Sequence, residues 1–176
     1  GGIHLVAQNT DPSSATLTSG TLTTGNDQNY RSFATVVGQP NLTRLLKGLY
    51  SIHAHFYQTG NKQVTIYGKL FQRKTDTTET LILTTETSTA LGSSVAPFDL
   101  HGALNETYQL STDGSDRLVL KLYANVGATG SNVTVKTDIG AGSDSNFAIA
   151  VPAIELSTIF VPYSGATQNV DLGTKS

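Results

Sequence analysis

His53 and His55 lie two residues apart in Tyr50-Ser51-Ile52-His53-Ala54-His55-Phe56. On an extended strand such residues point the same way, so both imidazoles share one face, and the spacing would suit two ligands of one metal ion. A protein metal site needs about three ligands or more. No carboxylate or third His is near in sequence, so the expectation is a solvated polar face and no metal. Asp113-Gly114-Ser115-Asp116 opens like a calcium loop but lacks the Glu that closes one. A tight turn in which Asp116 fixes the start of the next strand is expected instead. No Gly-x-Ser-x-Gly elbow occurs, and single hydroxyls such as Ser19 carry no information in so Ser- and Thr-rich a chain. A glycosidase would need two carboxylates whose separation is spatial. Glu79, Glu86 and Glu106 sit in polar, turn-flanked contexts with nothing that points to a raised pKa. The sequons at Asn41, Asn105 and Asn132 are expected by chance in a Thr-rich chain. No catalytic residue, cofactor site or metal site is expected.

The elements around these residues read as strands. Tyr50, Ile52, Ala54 and Phe56 alternate with Ser51, His53 and His55. Val64, Ile66, Gly68 and Leu70 form the inward set of a second strand, and Leu118, Leu120, Leu122 and Ala124 that of a third, the clearest in the chain. This period of two marks strands buried on one face. Further strands are expected at Tyr30–Val37, Leu81–Thr84, Tyr108–Leu110, Val133–Val135, Phe147–Val151 and Ile154–Val161. Asn61, Gly114 and Gly127–Gly130 make turns. No sustained helical stripe appears. Seven to nine short strands predict an all-β fold, an antiparallel β-sandwich of jelly-roll type, over residues 27–162. Ser88–Glu106 is read as its long overhand loop. Residues 1–26 are read as an N-terminal arm and 163–176 as a C-terminal linker too polar to form a core alone. The core is expected from Ile52, Phe56, Val64, Ile66, Leu118, Leu120 and Leu122. On the opposite face the apolar set Tyr67, Phe71, Val119 and Tyr123 reads either as scattered surface residues or as a patch covered by self-association.

Composition narrows the function. The chain has 176 residues, 14% of them charged, with a net charge of −2. Its cationic residues are scattered, the densest group being Lys69, Arg73 and Lys74, which argues against a nucleic-acid partner. The absence of Cys excludes disulfides and thiolate chemistry. No run of about 18 apolar residues exists, so no helical membrane insertion is expected. The absence of Met is expected of a processed product or a segment of a longer protein.

Two stretches resemble bacteriophage tail-fibre sequence. One is the order Lys69-Leu70-Phe71-Gln72-Arg73-Lys74, Thr78-Glu79-Thr80-Leu81-Ile82, then Asp116 through Ala124. The other, Val161-Pro162-Tyr163-Ser164-Gly165-Ala166-Thr167-Gln168-Asn169-Val170-Asp171-Leu172-Gly173, is similar to a linker that recurs ahead of further fibre repeats. The resemblance implies a virion location and a homotrimeric structural module of a tail fibre or related appendage. Its partners would be copies of itself, neighbouring virion proteins and a host surface glycan or protein. The alternative is a carbohydrate-binding module of a secreted or enzyme-linked protein. A glycan-cleaving virion enzyme is a third, weaker reading.

Overall fold

The computed structural model describes residues 3–4, 15–36, 42–111, 113–139 and 146–149, and among them every regular element is a strand. In chain order these are β1 (Ile3–His4), β2 (Ala15–Thr18), β3 (Gly25–Ala34), β4 (Arg44–Leu45), β5 (Gly48–Thr59), β6 (Val64–Arg73), β7 (Glu79–Thr84), β8 (Ala96–Leu104), β9 (Tyr108–Gln109), β10 (Arg117–Val126), β11 (Thr134–Ile139) and β12 (Asn146–Ile149). The first sheet is built around β5, whose length lets it pair with β8 along one edge and with β12 and then β11 along the other. β2 extends it beyond β11, and β1 beyond β12. The second sheet has the order β3-β10-β6-β7. All pairings between named strands are antiparallel, and the two sheets form the expected β-sandwich.

The alternating side chains set which face meets which. Tyr50, Ile52, Ala54 and Phe56 on β5 pack against Val64, Ile66 and Leu70 on β6 and Leu118, Leu120, Leu122 and Ala124 on β10 in one buried cluster. All seven residues expected to make the core belong to it. At Gly68 the sheets leave no room for a side chain: a Cβ would lie 2.2 Å from the Ile52 Cδ1. Asp113–Asp116 is the expected turn. Gly114 has φ +68°, the Ser115 amide donates to the Asp113 carboxylate at 3.0 Å, and Asp116 is buried just before β10.

Three segments differ from expectation. Ser88–Glu106 is not one loop, because Ala96–Leu104 forms β8 along β5. Pro97 lacks an amide hydrogen, and β8 runs on the side of β5 away from β11 and β12, with β5 its one sheet partner among the described residues. The true crossover is shorter and strapped to the core: Ser88 and Leu91 amides donate to Ile66 and Val64 carbonyls, and the Gln58 amide to the Gly92 carbonyl. Within the expected N-terminal arm, residues 15–18 pair with β11 and Leu22 bridges Val133 and is buried. The first long strand begins at Gly25 and ends at Ala34, earlier than the pattern from Tyr30 to Val37 implies. The strand expected at Ile154–Val161 and the linker 163–176 lie outside the described residues, as does the end of the strand expected at Phe147–Val151.

Candidate functional site

The outward face of the second sheet carries a cross-strand ladder between β6 and β10. Thr65 lies opposite Asn125, Tyr67 opposite Tyr123, Lys69 opposite Lys121, Phe71 opposite Val119 and Arg73 opposite Arg117. The structure therefore brings together all four residues of the apolar set Tyr67, Phe71, Val119 and Tyr123. The Tyr67 and Tyr123 rings stack at 5.3 Å between centroids and 17° between planes. Lys69 Nζ sits 4.6 Å from the Tyr123 centroid and 5.4 Å from that of Tyr67, and Lys121 Nζ 4.8 Å from Phe71. Lysine stems lie over apolar rings while their ammonium groups stay wet, and here they cover much of the set within one chain. Val119 is only 1% exposed and Tyr67 only 5%.

At the end of this ladder is an open cleft of about 240 Å³, lined by Asn26, Gln63, Thr65, Asn125, Val126 and Gly127. Its lip is held in place. Asp27 adopts φ +55° and its amide donates to Asn125 Oδ1 at 3.0 Å. The Tyr67 hydroxyl donates to the Asp27 carboxylate. Burial, then the hydrogen bond and negative charge of Asp27, push the Tyr67 pKa well up, so the hydroxyl stays a donor. With Asn125 Oδ1 occupied, its Nδ2 points its hydrogens elsewhere. That group and the side chains of Asn26, Gln63 and Thr65 make no hydrogen bond to the described residues. The Asn26 and Gln63 amides, the Asn125 Nδ2 and the Thr65 hydroxyl thus line one cleft with hydrogen-bonding capacity left, one register step from a tyrosine pair.

The outward face of the first sheet places the His pair. His53 Nδ1 lies 2.7 Å from Asp99 Oδ1, and the two imidazoles meet edge to face at 5.4 Å. His55 lies opposite Asp138 on β11, and its Nδ1 is buried without a hydrogen-bond partner among the described residues. Lys136 sits over the Tyr57 ring at 5.5 Å. No three metal-ligating side chains converge among the described residues.

Glu79, Asp116 and Glu86 are committed to other work. Glu79 is gripped by Arg73 and Lys121. Its burial favours the neutral acid, but the two cations outweigh that and hold its pKa below the usual range, the reverse of what a general acid requires. Asp116 follows the same pattern: burial raises its pKa, and the Ser111 amide and the Gln72 side chain, at 2.6 Å, lower it further still. Glu86 Oε1 accepts the His101 amide at 3.1 Å, and Glu106 is exposed. The sequence pattern singles out none of the cleft residues. Only Asn125 carries a signal, as the outward polar end of the clearest strand, two residues beyond Tyr123.

No family model and no curated protein matches the chain. Among solved structures it is similar to an aminopeptidase from the marine sediment archaeon Thaumarchaeota archaeon, with 9% identity and a TM-score of 0.49. That match covers 67% of this chain and 25% of the aminopeptidase, so the chain spans about a quarter of that protein. It is also similar to a CBM4 structure, with 14% identity and a TM-score of 0.40 over 75% of this chain and 83% of the other. A third is the N-terminal cellulose-binding domain of β-1,4-glucanase C from Cellulomonas fimi, with 14% identity and a TM-score of 0.39 over 74% of this chain and 76% of that domain.

Proposed function

We propose that the chain is a non-enzymatic β-sandwich module that binds a saccharide on the outward face of β6 and β10. The observation that carries this reading is the cleft of Asn26, Gln63, Thr65 and Asn125 beside the Tyr67–Tyr123 stack. Sugars present vicinal hydroxyls, each both donor and acceptor, together with an apolar face of C–H groups. Planar amides answer the first with paired donors and acceptors, and the partly exposed Tyr123 ring answers the second. The cleft is smaller than the roughly 300–1,000 Å³ of an enclosed ligand pocket. It suits one ring of a longer chain laid across an open face. The grip of Arg73 and Lys121 on Glu79 supports binding without cleavage.

A glycan array probed with the whole chain tests the reading, followed by titration of the best glycan. Asn125→Ala should weaken binding by about tenfold, the equivalent of roughly 1.4 kcal/mol. Binding to no glycan by a folded chain would refute it. A second reading, a homotrimeric tail-fibre module in a virion, is favoured by the order of residues 161–173. The two are compatible, because a fibre module can display a saccharide-binding face.

A further inference from the structure

Beyond the tyrosine pair the same face turns cationic. Lys69 lies directly opposite Lys121, and Arg73 directly opposite Arg117. Like charges paired across strands are destabilising. Yet this chain, with a net charge of −2, sets two such pairs in succession. Glu79 supplies one carboxylate for the four, and it goes to Arg73 and Lys121. Arg117 Nε is spent on the Thr35 carbonyl at 2.7 Å, which leaves its charge in place. Lys69 lies over the tyrosine rings and has no carboxylate ion pair among the described residues. Outward residues on a strand recur about every 6.6–6.8 Å, so Lys69 stands roughly 13 Å along β6 from Thr65 in the cleft.

We infer that the saccharide is an acidic polysaccharide, a chain of carboxylate-bearing sugars. One ring lies in the amide-lined cleft, and a carboxylate further along meets Lys69. Charge complementarity selects this occupant. Four cations face two carboxylates there: Glu79 lies between Arg73 and Lys121, and Asp27, at the cleft end, is taken by the Tyr67 hydroxyl, so the strip keeps a net positive charge. Cleft and strip lie along one unbroken pairing of β6 and β10, so a single extended chain reaches both. The inference rests on the saccharide reading and narrows it.

The test is titration of the whole chain at moderate salt with tetragalacturonate, with its methyl ester and with inorganic polyphosphate. The acid should bind about tenfold more tightly than the ester. Lys69→Gln should bring the acid down to the affinity of the ester and leave the ester unchanged. Asn125→Ala should weaken both by the same factor. Equal binding of acid and ester, weakened by Asn125→Ala, would overturn the acidic ligand while keeping the saccharide reading. Polyphosphate binding as tight as the acid and indifferent to Asn125→Ala would overturn it in favour of a general anion surface. No binding of acid or ester overturns the inference, and failure of every neutral glycan as well removes the saccharide reading with it.

Discussion

Leu120 and Lys121 are neighbours on β10 with opposite duties. Leu120 is buried in the cluster between the sheets, and Lys121 reaches over Phe71 to Glu79. Leu120→Ala should destabilise by about 2–5 kcal/mol. Lys121→Ala should cost about 1 kcal/mol or less, since it loses a partly exposed ion pair and some stem packing. Chemical denaturation of both variants checks the strand phase, and a reversal would shift it by one residue. Acid should act through Asp116 and Glu79. Both carboxyls have pKa values lowered by folding, so their stabilisation is complete above the unfolded values near pH 4 and is lost as pH falls through the folded ones. Unfolding followed against pH should steepen below about pH 4. Asp116→Asn should be less stable at neutral pH, because a buried charged acceptor of the Ser111 amide is gone, and flatter in acid.

At the scale of strands, the period of two was enough to place β5, β6 and β10 and to say which side chains each turns inward. It also put Tyr67, Phe71, Val119 and Tyr123 on outward faces, but a slip of two residues would keep the faces and change the partners, so the pairing of Tyr67 with Tyr123 and of Phe71 with Val119 comes from the structure. β8 escaped because Pro97 and Gly102 interrupt what is otherwise an alternating stretch, with Phe98, Leu100 and Leu104 inward. A proline reads as a strand breaker until the strand is known to lie at an edge. The cleft escaped for a different reason. Asn26, Gln63 and Asn125 come from chain segments far apart, each an ordinary turn or strand-end residue, and only the pairing of β3, β10 and β6 brings them together. The contact between sheets offers its own test. Gly68→Ala would drive a Cβ into the Ile52 Cδ1 and should cost about 1–3 kcal/mol by overpacking. Ile52→Val removes that very methyl and alone should cost about 0.5–1.5 kcal/mol. The double variant should be more stable than the sum of the two predicts, because each change makes room for or fills the space of the other. Strict additivity in thermal or denaturant unfolding would mean the sheets relax apart at this point.

For the molecule as a whole, the β6–β10 face cannot serve a saccharide and a second copy of the chain at once. The sequence reads Tyr67, Phe71, Val119 and Tyr123 either as scattered surface residues or as a self-association patch, because a solvated sheet face is normally polar. In the folded chain Tyr67 and Val119 are already buried, and Lys69 and Lys121 lie over the remaining rings. What stays apolar there is a few side chains, the partly exposed Phe71 and Tyr123 with Leu81 beside them, whereas a stable interface needs on the order of 1,000 Å² or more. A ring of subunits docked on this face would also set the cationic strip of one copy against its neighbour in a poorly solvated contact. Among the described residues, one large exposed apolar side chain, Leu81, lies beside Phe71 on this face, while Leu42, Leu46 and Leu49 cluster in sequence around β4 and the start of β5. We expect any homotrimer contact at Leu46 and Leu49 rather than at Tyr123, whose face carries the cationic strip. Tyr123→Glu should leave the sedimentation coefficient of the whole chain unchanged and weaken saccharide binding by about tenfold or more, since it sets a carboxylate beside an acidic ligand. Leu49→Glu should do the opposite, lowering the mass of any oligomer and sparing the saccharide. A fall in mass caused by Tyr123→Glu would return the face to self-association and close it to the polysaccharide.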